Sequence, residues 1–420
     1  MIAKTVLPSG VRLVTETIDS VHSVSIGVWL KTGARYERSN ENGLAHFLEH
    51  MLFKGTRKYS ALEIARAIDS VGGVINAFTA KEHTCFYVKV LRQHLALAVD
   101  LLTDIFFNSL FAPEEIDKER NVVIQEINMV KDTPDDYIQD LFNQSFFSGH
   151  VLQSNILGDC ESVGNFSHDD LVGFVKREYF SPQNVIISAT GNVEHQVLLD
   201  SIGKAFDRLS GSSPAATLAD FTPQRKVSFD FRELEQVHVC LGTRGVSQSD
   251  PDRYGLYLLN AVLGGSMSSR LFQEIRENRG LAYTIYSFMV SFIETGVFGI
   301  YMGVVNDTLE ESLDVTLGEL RRMRDVPLSG EELVHAKEQL KGNMLLSLES
   351  TDSRMSRLAR CELYYDQFVP IEEVLESIDA VTPEDVQRLA GALFQDDQFT
   401  YTFLGPVKET DVAQELLLLK

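Results

Sequence analysis

The chain has 420 residues, of which 44% are hydrophobic and 23% charged, and it carries a net charge of −22 at pH 7. That length exceeds what one core can fill and predicts two or three domains of ordinary globular composition. The acidic balance argues against nucleic-acid binding and favours basic partners, and no apolar run of about 18 residues is present to span a membrane.

The first eight residues, Met1-Ile2-Ala3-Lys4-Thr5-Val6-Leu7-Pro8, have neither an apolar h-region nor an Arg-rich presequence character, so no targeting segment is expected. Cys85, Cys160, Cys240 and Cys361 are scattered without a C-x-x-C, as in a reduced cytoplasmic protein. Val24 to Leu30 reads as a strand, and a polar loop leads from it to His46-Phe47-Leu48-Glu49-His50. On a helix, His46 and His50 share a face with Glu49 beside them. Two imidazoles one turn apart can hold one zinc ion, and the carboxylate can take a proton from water activated there. Leu44, Phe47, Leu48, Met51 and Leu52 supply the apolar flank, Asn42 is expected to cap the helix, and Gly55 to end it.

Ser60 and Glu63 form a capping box for a helix that stops at Gly72-Gly73. Val74 to Thr79 and Thr84 to Val90 read as strands, and an apolar helix follows from His94 to Phe107. A long amphipathic helix begins near Pro113 and carries Glu119 and Glu126. These are seven residues apart, hence about 20° apart on one face, where a second helix can present carboxylates to a metal. The helix passes through Lys131-Asp132-Thr133-Pro134 and resumes with Asp135. Asp136 and Asp140 then share a face. Acids just after Pro134 also suit a helix N-terminus through its dipole, and both readings stay open.

A weak repeat organises the chain. Gly33 and Gly245 are 212 apart, as are Gly43-Leu44 and Gly255-Leu256, while Ser188 to Val193 recurs at a spacing of 214 as Thr402 to Val407. A repeat of half the chain length means two similar domains. The expected division is residues 1–208, a linker at 209–226 that contains the small and polar stretch Leu209-Ser210-Gly211-Ser212-Ser213-Pro214-Ala215-Ala216, and residues 227–420. In the second copy Leu258, Ala261 and Val262 stand where the first has His46, Glu49 and His50, and Asn343 stands opposite Glu126. The fold repeats while the metal-binding side chains do not. Gly264-Gly265-Ser266 lacks the lysine of a phosphate loop and the spacing of a dinucleotide fingerprint.

The strings His46 to Thr56 (HFLEHMLFKGT) and Asn76 to Thr84 (NAFTAKEHT) resemble the pitrilysin family of inverted zincins, in particular its processing-peptidase members, and the similarity runs from about residue 3 to 410. The resemblance implies an α+β fold of two homologous domains, each an antiparallel-rich sheet covered by helices. It implies one zinc ion per chain on His46, His50 and Glu126, with Glu49 as catalytic base and Glu119 as an auxiliary glutamate. Arg276 and Tyr283 match an arginine–tyrosine pair that the domain without zinc sends towards substrate. Asn76, Ala77, Phe78 and Thr79 match a strand edge that binds extended peptide, and Asp136 and Asp140 match acidic positions that recognise arginine. The implied activity is cleavage of short or unfolded peptides in a closed chamber between facing domains. A chain with only two domains then calls for a homodimer whose sites are completed in trans, or for a heteromeric partner. The alternative is a non-catalytic peptide-binding or assembly subunit, which predicts broken ligands.

Overall fold

The computed structural model describes residues 1–213, 218–219 and 221–419. Of the expected linker at 209–226, residues 214–217 and 220 therefore lie outside the described residues. Helices and two mixed sheets build an α+β fold.

Six strands form the first sheet: β1 (Ile2–Val6), β2 (Arg12–Thr17), β3 (Ser23–Leu30), β4 (Val74–Thr79), β5 (Thr84–Leu91) and β6 (Val185–Gly191). Their order is β1-β2-β6-β3-β5-β4, antiparallel except where β2 meets β6. The second sheet holds β7 (Lys226–Phe231), β8 (Val237–Gly245), β9 (Ala282–Ser291), β10 (Gly296–Val304) and β11 (Thr400–Gly405), in the order β7-β11-β8-β10-β9. With β1 set aside, the two orders match strand for strand, and the one parallel pair falls at the same place, since β7 runs parallel to β11. The repeat seen in the sequence is thus a repeat of topology.

Among the helices of the first half are α1 (Leu44–Met51), α2 (Ala61–Asp69), α3 (Leu95–Asn108), α4 (Pro113–Asp132) and α5 (Pro134–Phe146). The capping box of Ser60 and Glu63 opens α2 as expected. Among the described residues no helix is long and apolar enough to cross a membrane.

The chain forms two compact units that interleave along the sequence. The first comprises Met1–Met129, Ser154–Thr217 and Leu346–Phe368; the second comprises Val130–Gln153, Leu218–Leu345 and Val369–Lys420. The exchange answers a burial problem. Strands β6, β10 and β11 are buried along their whole length, so their sheets need cover on both faces. In the first unit α1 and α3 lie against one face, and the helix Thr351–Tyr365 covers the other, packing Met355, Leu358, Ala359 and Leu363 onto Val14, Trp29, Cys85 and Ile186. In the second unit the helices Arg253–Leu263, Leu309–Asp325 and Pro383–Leu393 contribute to the core on one face. The other face takes α5, whose Ile138, Phe142 and Phe146 meet Cys240, Tyr301 and Leu404. Gly242 admits that helix, because a Cβ there would stand 2.7 Å from the Phe142 ring. Each sheet is therefore covered on one face by a helix from the opposite half of the sequence.

Candidate metal centre

Helix α1 is only eight residues long, and its start is held by a residue well before it. Gly43 caps the helix in the left-handed conformation, at φ 90°. A Cβ on it would lie 2.6 Å from the Leu157 carbonyl oxygen. The backbone N–H groups of Gly43 and Ala45 donate to the two oxygens of Glu37, at 2.9 and 2.8 Å. Asn42 was expected to cap this helix and does not. It precedes the cap residue, one position too early to reach the first-turn amides, and its side-chain amide donates to Asp159 at 3.2 Å instead. Burial pushes the Glu37 carboxyl up to about 8, against the pull of the two amides it accepts from. Leu44, Phe47, Leu48 and Met51 sink into the core with α1 packed on β4 and β5, which leaves His46, Glu49 and His50 for the remaining face.

That face meets α4. His46 Nε2 lies 3.8 Å from Glu126 Oε2, and His50 Nε2 lies 3.6 Å from the same oxygen. One ligand atom from each of the three residues falls within 4.8 Å of the others, and this is the group of metal-ligating side chains that the described residues bring together. Bonds of about 2.0–2.2 Å place the ligands of a tetrahedral zinc roughly 3.3–3.6 Å apart, and the two imidazole–carboxylate separations, 3.8 and 3.6 Å, lie close to that range. Two imidazoles and one carboxylate also leave a fourth position for water or substrate. A buried polar atom without a partner sharpens the fit: Glu49 Oε2 has no hydrogen-bond partner among the described residues.

The second nitrogen of His50 is engaged separately. Its Nδ1 lies 2.8 Å from Glu119 Oε1, and the Lys54 ammonium lies 2.6 Å from Glu119 Oε2. Burial works against charge on both His50 and Glu119, yet their hydrogen bond, joined by Lys54, prevails; the imidazole is held above its ordinary range and the carboxyl below it. His46 goes the other way. Burial, with the neighbouring His50 adding to it, pushes it down to about 4. Burial also raises the Glu49 carboxyl, partly offset by Thr79 and His50. A half-buried carboxyl poised closer to neutrality suits a general base.

The other expected residues occupy definite places. Asn76, Ala77, Phe78 and Thr79 lie on β4, the outermost strand of the first sheet, which among the described residues pairs only with β5. In the second unit the Arg276 guanidinium stacks 4.7 Å from the Tyr283 ring centroid, and Tyr283 is 75% exposed on the outermost strand β9. Asp136 and Asp140 lie on α5 in that same unit, Asp136 in its exposed first turn. The aliphatic replacements Leu258 and Val262 are buried in the helix Arg253–Leu263. Two contributors escaped the sequence reading. Glu37 has no motif to mark it, and Lys54 lies beyond the end of α1, where helical spacing from His50 no longer applies.

Fold and site together define a metallopeptidase-type centre of the inverted-zincin kind, built on one half of a duplicated α+β chain. Residues 12–160 match the family Insulinase (Peptidase family M16), and residues 165–340 match the Peptidase M16 inactive domain. The chain belongs to peptidase family M16, the pitrilysin family of zinc metallopeptidases. It is 41% identical to the uncharacterized zinc protease YmxG of Bacillus subtilis, over 94% of this chain and 97% of that one. It is 39% identical to an uncharacterized zinc protease of Streptomyces coelicolor, over 98% of this chain and 91% of the relative. A crystal structure of a protease from Helicobacter pylori shares the fold with a TM-score of 0.88 at 22% identity, covering 97% of this chain and 99% of that one. The inactive-domain match covers the stretch that holds Leu258, Ala261 and Val262, the residues that the repeat sets opposite His46, Glu49 and His50.

Proposed function

We propose that this protein is a zinc-dependent endopeptidase acting on short or unfolded peptides. The observation that carries the reading is the convergence of His46, His50 and Glu126 within 4.8 Å, with the buried, partnerless Glu49 oxygen beside them. A non-catalytic subunit would have no need to leave that buried oxygen of Glu49 without a protein partner. When bound there, zinc supplies the Lewis acidity that activates water and polarises a carbonyl. Glu49 accepts the proton of the attacking water and returns it to the leaving amine. Thr79 stands beside Glu49 on β4, whose unpaired edge offers main-chain groups to an extended peptide, so affinity arises without side-chain selection.

The remaining roles extend this reading. Tyr283 donates a hydrogen bond to the developing oxyanion, with Arg276 stacked against its ring to hold it. Both come from a second copy of the chain, in a twofold homodimer that encloses the substrate between facing domains. Asp136 and Asp140 favour basic residues near the scissile bond. The test is digestion of a peptide library by the purified protein, with sequencing of the cut sites and metal analysis of the same sample. Cleavage that follows zinc content supports the peptidase. A zinc-loaded chain that cuts nothing defeats it, and a cut profile indifferent to Arg and Lys removes the assignment of Asp136 and Asp140.

A further inference from the structure

Lys54 lies beyond the end of α1, outside the ligand set and outside every role given above. Its backbone N–H donates to the Met51 carbonyl at 3.1 Å, and the chain then turns through Gly55 at φ 124°. Gly55 in turn accepts from the Leu110 amide at 3.1 Å, which ties the turn to the segment before α4. From that fixed turn the Lys54 side chain, itself partly exposed, reaches Glu119 Oε2 at 2.6 Å.

We infer that Lys54 is a positioning residue for the metal site, acting through Glu119 to fix the orientation of the His50 ring. The inference rests on the zinc reading of the site. A carboxylate has two oxygens and can rotate between partners. Glu119 is 3% exposed, too deeply buried for bulk water to restrain its second oxygen. Lys54 takes Oε2 and so leaves Oε1 for His50 Nδ1, at 2.8 Å. An ionised carboxylate only accepts, so Nδ1 carries the hydrogen, and the lone pair of Nε2 faces Glu126 and the ligand set. Three side chains in series thus set which nitrogen is offered and at what angle. His46 has no such brace, since its Nδ1 is unpartnered. The ring at position 50 is accordingly where an outer contact has most influence.

The test is zinc affinity, measured on the full-length protein by competition with a chromogenic chelator. Lys54→Met weakens zinc binding about 10–100-fold, the usual cost of losing an outer-shell partner. Lys54→Arg, which can still donate to Oε2, recovers most of that loss. In a Glu119→Ala background, Lys54→Met has no additional effect, because the lysine then has nothing to act through. Lys54→Gln serves in the same cycle if the methionine variant does not fold. Wild-type affinity in Lys54→Met overturns the inference, as does an equal weakening in both backgrounds. A wild-type chain that takes up no zinc overturns the zinc reading and this inference together, whereas a zinc-binding chain that cleaves no peptide overturns the peptidase alone.

Discussion

Glu119 and Glu126, seven residues apart on α4, address opposite nitrogens of one imidazole: Glu119 lies 2.8 Å from His50 Nδ1 and Glu126 lies 3.6 Å from His50 Nε2. Two turns apart, the two carboxylates flank the ring from opposite sides, so one face of α4 reaches both of its nitrogens. Their substitutions should therefore differ in kind. Glu126→Ala removes a ligand and should leave the purified chain with little zinc. Glu119→Ala removes only the brace and should leave a stoichiometric site weaker by about 10–100-fold. Metal analysis and chelator competition separate the two outcomes, and equal loss from both would remove the distinction.

Glu49→Gln should cut peptide hydrolysis by about 10²–10⁴-fold, because an amide cannot take a proton from water. Zinc content should stay at the wild-type level, since Glu49 lies outside the group His46, His50 and Glu126. A fluorogenic peptide assay paired with metal analysis checks both halves of the statement. Activity retained in this variant would strip Glu49 of its role as base.

Complementation between inactive chains tests the origin of Tyr283. A Glu49→Gln chain mixed with a Tyr283→Phe chain should regain part of the wild-type rate after subunit exchange, because some heterodimers then hold one intact site. No recovery, with exchange shown independently, would mean that the tyrosine serves its own chain or serves none.

Acid should loosen the first unit through His83. This ring packs at centroid distances of 5.6 Å from Trp29 and 5.8 Å from Phe78, and its Nδ1 lies 3.5 Å from the Tyr364 hydroxyl. Burial, with the charge of Arg360 adding to it, pushes its pKa from 6.5 down to about 4. The folded state therefore prefers the neutral ring, and the stability this represents is present above pH 6.5 and lost as pH falls towards 4. At pH 5 the loss amounts to about 2 kcal/mol at most. Denaturant melts of the metal-free protein at pH 7 and pH 5 should show it, and His83→Phe should reduce the difference between the two. An unchanged difference would place the acid sensitivity elsewhere.

Much of this architecture was legible because it is encoded locally. The capping box at Ser60, the strand pair from Val74 to Leu91 and the helix from Pro113 each announce themselves within a few residues. His46 and His50 were legible for the same reason, being one helical turn apart. What escaped notice depends on contacts between distant segments. The cap of α1 comes from Glu37 because Gly43 takes the left-handed conformation, which puts Asn42 out of reach of the amides. Lys54 meets Glu119 across 65 positions, and nothing in either neighbourhood signals the pairing. The helix Thr351–Tyr365 lies in the second half of the sequence, yet its apolar stripe belongs to the first sheet.

That borrowed helix sets a timetable for synthesis. The last strand of the first sheet ends at Gly191, but the cover for its second face begins at Thr351, 160 residues later by subtraction. At about 5–20 residues per second, roughly 8–30 s separate the two on the ribosome. Throughout that interval Trp29, Cys85 and Ile186 lack their partner, and the sheet presents a sticky surface to the cell. The first half of this protein is thus born needing protection, and its fold closes only once the helix Thr351–Tyr365 has been made.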